Sequence, residues 1–129
     1  MKFAISELNV PPFSNFTIKA QEAIKRSHEL AIERNQSQID SLHLLAALLL
    51  DEDGIVNSAL EKMEIDTQYL LDNAIEAIEQ ESSKSNVLMP SPQIYITPEF
   101  GRTLESAAKL SASLGDSFIS TEHLFLGIF

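Results

Sequence analysis

Shifted by eighty residues, part of this chain falls back onto itself. The stretch Ser37-Gln38-Ile39-Asp40-Ser41-Leu42-His43-Leu44-Leu45 returns, in register and without gaps, as Ser117-Phe118-Ile119-Ser120-Thr121-Glu122-His123-Leu124-Phe125. Carried backward, the register sets Thr17 on Thr97, Ile24 on Leu104 and Leu30 on Leu110, so a helix and the turn after it are both duplicated. A repeat of this kind constrains architecture more than any single motif does. The second copy stops at Phe129, shortly after its second helix begins.

Spacing makes the elements readable as helices throughout, which predicts an all-α fold. Residues 1–15 hold Pro11-Pro12 and no periodicity and predict an extended arm. Thr17 is placed to cap a helix whose Ala20, Ala23, Ile24, Ser27, Leu30 and Ala31 recur at three and four residues, ending near Arg34. A polar turn follows, Ile39 plugs inward, and Asp40 or Ser41 caps a second helix through Leu50. That helix is apolar nearly all round and belongs at the centre of the fold. Asp51-Glu52-Asp53-Gly54 breaks the chain before a short helix from Ile55 to Met63. Asp66 or Thr67 then caps a fourth helix with Leu71, Ala74, Ile75 and Ile78 on one face.

Residues 82–96 carry four serines, two prolines and no helical period, and read as a linker. Thr97-Pro98-Glu99 opens the second copy with a capping hydroxyl, a first-turn proline and a first-turn carboxylate, all suited to a helix N-terminus. Ile119 matches Ile39, and Ser120 or Thr121 caps the last helix. The expected organisation is an arm at 1–15, a four-helix repeat at 16–81, the linker at 82–96 and the first half of a second repeat at 97–129, all in one compact domain. Counterparts of the third and fourth helices are absent from the second copy.

Composition narrows the class. With 44% hydrophobic and 22% charged residues, 129 residues can bury a core. No apolar run approaches the roughly 20 residues that cross a bilayer, and no secretory signal follows Met1-Lys2, so a cytoplasmic protein without a membrane partner is expected. Zero cysteines exclude disulfides, thiolate metal sites and cysteine nucleophiles. The net charge is -10, and between Asp51 and Glu81 ten acidic residues face one base, Lys62. Such a surface repels a phosphate backbone, which argues against nucleic acid and for basic or arginine-bearing protein partners. A face that merely keeps the domain soluble is the simpler alternative.

Phe16-Thr17 opening a helix, the Ile-x-x-x-His-Leu-Leu segment, the Asp-Gly break, and Ile96-Thr97-Pro98 followed by Ser117-Phe118-Ile119-Ser120-Thr121-Glu122-His123-Leu124 together resemble the Clp N-terminal domain. That domain precedes the ATPase modules of the ClpA, ClpB and ClpC unfoldases, and the resemblance covers roughly residues 16 to 129. It implies two repeats packed as a pseudo-twofold unit that binds substrate and adaptor proteins for an AAA+ unfoldase, with its peptidase in a ClpC-type member. No Gly-x-x-x-x-Gly-Lys-Ser/Thr occurs here, so ATP use would belong to other modules and this chain is expected to be no enzyme and to take no cofactor.

Thr121-Glu122 is the sharpest candidate site, with Ser120 and Thr97 beside it in the repeat signature. A helix N-terminus suits a phosphate, and a first-turn carboxylate can clamp a guanidinium, a combination that fits phosphoarginine. The ClpC-type resemblance implies such docking through Thr-Glu pairs, one per repeat, but the first copy has Ser41-Leu42. The simpler alternative makes Thr121 a cap and Glu122 a dipole partner. His43 and His123, at equivalent positions, are expected to hydrogen-bond a nearby backbone carbonyl rather than to catalyse.

No histidine pattern suits zinc, and Asp51-Glu52-Asp53-Gly54 lacks the carboxylates that a calcium loop requires at its first and twelfth positions. Apolar residues flanking the linkers (Phe13, Phe16, Leu88, Met89, Ile94 and Tyr95) are candidates for a groove that takes unfolded segments, or else simply cover the core. The function expected is capture of substrate or adaptor proteins. The alternatives are a disaggregase-type domain reading apolar segments, or a structural helical module that dimerises through its incomplete repeat.

Overall fold

Two equivalent threonines open the two repeats. In the computed structural model, which describes residues 15–84 and 95–129, Thr17 Oγ1 accepts the Ala20 N–H at 3.1 Å and starts α1 (Ile18–Glu33). Thr97 Oγ1 accepts the Phe100 N–H at 3.1 Å and starts α5 (Pro98–Ser113), with Pro98 at its first position. Both helices bury one stripe, with Ala20, Ile24 and Leu30 inside on α1 and Phe100, Leu104 and Ala107 inside on α5. Both also end on a residue in the left-handed region, Asn35 (φ 55°) and its equivalent Gly115 (φ 75°), where the chain reverses without continuing the helix.

Between α1 and α5 lie β1 (Gln38–Ile39), α2 (Ser41–Leu50), α3 (Ile55–Lys62), α4 (Thr67–Lys84) and β2 (Tyr95–Ile96); α6 (Thr121–Ile128) follows α5. Asp40 caps α2, and Asp66 Oδ1 accepts the Tyr69 N–H in the first turn of α4 (3.1 Å). All of α2 from His43 to Leu49 is buried, with α1 and α4 packed against it. Its continuous apolar surface thus found a central place. Each fully enclosed leucine or isoleucine of the core, such as Leu44 on α2 or Ile39 in β1, contributes about 1.5–3 kcal/mol by leaving water.

The repeats are joined by an exchange of backbone. The segment leading into α1 pairs in parallel with the loop before α6 through Phe16 and Ile119: Ile119 N–H donates to Asn15 O and Thr17 N–H to Ile119 O, both at 2.9 Å. The segment leading into α5 pairs in the same way with the loop before α2 through β2 and β1, with Ile96 opposite Ile39 and Thr97 N–H donating to Ile39 O at 2.9 Å. Adding eighty to Phe16 and to Ile39 gives Ile96 and Ile119. Each repeat therefore lends its lead-in segment to the loop of the other, and all four side chains are buried. The fold is all-α with this short exchanged pairing at its waist.

Three details differ from the expectations. Phe16 is only 7% exposed and belongs to the core cluster rather than to an open groove, because its backbone pairing with Ile119 carries the ring inward. The fourth helix runs to Lys84, past the boundary read at 81, and Tyr95-Ile96 from the linker form β2. Phe13, Leu88, Met89 and Ile94 lie outside the described residues. For Tyr95 it is the backbone, in β2, that is described.

Candidate functional site

The signature turn of each repeat is built around its histidine. His43 Nδ1 accepts the Asp40 N–H at 3.0 Å, so the ring proton sits on Nε2 and is donated to Gln36 Oε1 at 2.6 Å. His123 Nδ1 accepts the Ser120 N–H at 2.9 Å, and its Nε2 donates to Asp116 Oδ2 at 3.0 Å. Both rings are buried and act as the third residue of a capping box, the place more often held by Glu or Gln. The expected bond to a backbone carbonyl is thus corrected to one from a backbone amide. A ring two residues inside the helix faces the unpaired amides of its start, where an acceptor is what is missing. Gln36 and Asp116, the outer partners, are themselves eighty residues apart, a signal that the repeat register already contained.

Asp40 Oδ1 accepts the Leu42 N–H at 2.8 Å. Burial pushes this carboxyl up, but the His43 ring and the amides of Leu42 and His43 outweigh it, and the group titrates below its ordinary range. In the second copy Ser120 takes the cap position, and its hydroxyl donates to Glu122 Oε1 while lying 3.0 Å from His123 Nδ1. Asp116, His123 and Ser120 thus line up in the order Asp-His-Ser, but the Nδ1 lone pair already receives the Ser120 amide and the serine hydroxyl is directed to Glu122.

The equivalent residues Ser41 and Thr121 have different surroundings. Ser41 is buried, and its hydroxyl lies 3.0 Å from that of Thr103 on α5. Subtracting eighty from Thr103 gives Ala23, which has no hydroxyl to offer Thr121. Thr121 and Ala23 line a cavity of about 370 Å³ where α1, the end of α2 and the start of α3 meet the start of α6. Leu48 and Val56 also line it, with Lys19, Arg26 and Asp51 among its charged residues. Lys19 Nζ is 3.9 Å from both Glu22 and Asp51, and Arg26 reaches Glu33 at 2.9 Å, so charges of both signs are paired around this cavity.

Of the predicted site residues, Ser120, Thr121 and Glu122 come together at the start of α6. Thr97 is occupied elsewhere, capping α5 and bonding Ile39. Among the described residues no group of three or more His, Cys, Asp or Glu could hold a metal ion, and no helix is long and apolar enough to cross a membrane. Sequence reasoning missed the cavity itself and Asn57, whose Nδ2 donates to Leu49 O and Asp51 O at 2.8 Å each and ties down the end of α2. Nothing in local spacing announces either one.

Comparison with known proteins agrees with this fold. The chain is similar to the chaperone protein ClpB of Bacillus cereus, 32% identical over 113 residues that make up 88% of this chain and 13% of that protein. It is likewise similar to ClpB 2 of Synechocystis sp., at 35% over 111 residues, 86% of this chain and 12% of that protein. It therefore spans only about an eighth of the length of these relatives. The fold resembles that of the Hsp104 N-terminal domain from Candida albicans, with a TM-score of 0.75 and 20% identity over 88% of this chain and 73% of that one. It also resembles the N-terminal domain of the ClpD chaperone from Arabidopsis thaliana, with a TM-score of 0.62 and 24% identity over 90% and 78% of the two chains. A family model described as the Clp repeat (R) N-terminal domain matches residues 15–129, and with the eighty-residue duplication and the exchanged pairing at its waist the chain belongs to that family.

Proposed function

We propose that this domain captures polypeptide segments of client or adaptor proteins for a Clp/Hsp100 chaperone, with ATP hydrolysis left to other modules of the parent protein. The observation that carries this reading is the cavity at the start of α6. Its apolar residues, beside charges of which Lys19, Asp51 and Arg26 are paired, suit a segment that brings an apolar side chain and its own polar backbone. The similarity to ClpB chaperones supports a client-binding branch that reads apolar segments over a protease-linked branch.

The test is binding of a reduced, carboxymethylated reporter protein to the wild type and to Ile55→Glu. Ile55 is half-exposed at the first position of α3 and lines the cavity. A glutamate there favours the helix N-terminus while removing apolar surface. Binding should weaken at least about fivefold, on the scale of one lost apolar contact. Equal affinities would remove the cavity from consideration.

A second reading, phosphoarginine docking, is favoured by the position of Thr121 in a cavity lined by Lys19, Lys25 and Arg26, with Glu122 as its neighbour in the chain. Because Leu42 replaces the carboxylate in the first copy and Ser120 engages Glu122, binding should be weak and single-site. Titration of free phosphoarginine against wild type and Glu122→Ala decides this, and equal or absent binding in both sinks it.

A further inference from the structure

Asn57 does not line the cavity at the start of α6, but we propose that it is a positioning residue on which polypeptide binding in that cavity depends. Leu50, Asp51, Gly54, Ile55 and Val56 form one side of the cavity. All five lie between Leu49 and Asn57 in the chain, so whatever fixes the turn from α2 into α3 fixes that side as well. This inference rests on the reading of the domain as a polypeptide-binding module, and it adds a residue that acts on the bound segment without touching it.

The turn has few bonds of its own. α2 ends on Asp51 at φ -81° and ψ 85°, without the left-handed residue that closes α1 and α5, and Gly54 opens α3 with no side-chain cap. Within the turn the Gly54 N–H donates to Asp51 O at 2.9 Å. Asn57, in the first turn of α3, supplies the rest. It is 3% exposed, and its Nδ2 donates to Leu49 O and Asp51 O at 2.8 Å each, which engages carbonyls that the end of a helix leaves open. Its Oδ1 has no partner among the described residues, so the amide serves the turn through its two N–H groups.

The effect of this tether reaches the cavity in two ways. Asp51 Oδ2 lies 3.9 Å from Lys19 Nζ on α1, so holding the Asp51 backbone also sets how closely the turn stands to α1. Leu50 and Ile55, which flank the turn and are 38% and 53% exposed, give the cavity apolar surface that a client can reach. Without Asn57 these side chains remain in the sequence but not in one arrangement, and binding then has to order them at a cost in affinity.

The experiment titrates the carboxymethylated reporter against the wild type, Asn57→Ala, Ile55→Glu and Asn57→Ala/Ile55→Glu, with circular dichroism to verify that each is folded. Asn57→Ala should weaken binding at least about fivefold. Gly115→Ala, which strains a turn that lines no part of the cavity, should change it less than about twofold. In the Ile55→Glu background the further loss from Asn57→Ala should fall below about twofold, because a misplaced wall matters only while its apolar residue is present. Losses that multiply in the double variant, or an Asn57→Ala affinity equal to that of the wild type or of Gly115→Ala, would overturn the proposal. Should Asn57→Ala not fold, Asn57→Ser, which keeps one donor, carries the same comparisons. If Ile55→Glu binds the reporter weakly and Asn57→Ala does not, the role of Asn57 alone is refuted. If Ile55→Glu binds as tightly as the wild type, the cavity is not the binding site and both readings fall.

Discussion

The hydroxyls of Ser41 and Thr103 lie 3.0 Å apart in the interior, and the residues that the repeat register makes equivalent to them, Thr121 and Ala23, line an open cavity instead. Ser41→Ala should leave the Thr103 oxygen buried without its partner and lower stability by about 1–3 kcal/mol. Ser41→Ala/Thr103→Val should recover much of that loss, since both polar groups are then gone. Urea unfolding of the two variants checks the pair, and equal stabilities for them would contradict the bond.

At Gly127 the backbone of α6 lies tight against that of α5. A Cβ at that position would stand 2.7 Å from the Thr103 carbonyl oxygen and 3.2 Å from the Ala107 nitrogen, both backbone atoms that cannot swing away. Gly127→Ala should therefore destabilise the domain by about 1–3 kcal/mol despite the better helix propensity of alanine. Thermal unfolding with a midpoint at or above that of the wild type would show that the two helices can separate at little cost.

The turns after α1 and α5 place equivalent residues in the left-handed region, asparagine at 35 and glycine at 115. A side chain there costs about 1–2 kcal/mol relative to glycine, somewhat less for asparagine. Asn35→Gly should leave stability unchanged or raise it by up to about 0.5 kcal/mol, while Gly115→Ala should lower it by about 1 kcal/mol. Removing a side chain at 35 and adding one at 115 thus shift stability in opposite directions, which denaturant titration can resolve.

Asp40 makes the start of α2 sensitive to acid. Its carboxyl titrates below the ordinary range when folded, so the unfolded chain takes up the proton first as pH falls. The stabilisation is fully present above the unfolded value of about 4 and is lost as pH drops through the lower folded value. Asp40→Ala should cost about 1 kcal/mol at neutral pH through the lost cap. The gap between wild type and variant should narrow below about pH 4, and a gap constant down to pH 2 would contradict the assignment.

On α6, Leu126 and Phe129 are 54% and 81% exposed, whereas their equivalents Ala46 and Leu49 on α2 are buried. Phe129 stacks edge-on against Phe125, with ring centroids 5.3 Å apart, and extends the apolar end of the helix.

Much of the fold was legible because its causes are local. Thr17, Thr97 and Pro98 announce helix starts by their chemistry, and the apolar stripes of α1 and α5 follow from a 3.6-residue period. The centrality of α2 follows from leucines on every side of it. The site was legible only in outline. Thr121 and Glu122 could be named, but not the hydrogen bond by which Ser120 engages Glu122, nor the cavity onto which Thr121 faces. The cavity depends on α1 and α3, which reach the start of α6 only through the folded chain.

The sequence by itself determined the duplication, the helices with their caps, the charge and the absence of cysteine, since each depends on neighbours within a few residues or on composition alone. The tertiary structure decided how the copies are joined and where they cease to be equivalent. The lead-in segments cross to opposite loops, Phe16 to Ile119 and Ile96 to Ile39, through backbone bonds that no side-chain pattern encodes. Ser41 meets Thr103 while Thr121 and Ala23 line a cavity, because residues scores of positions apart come together only after packing.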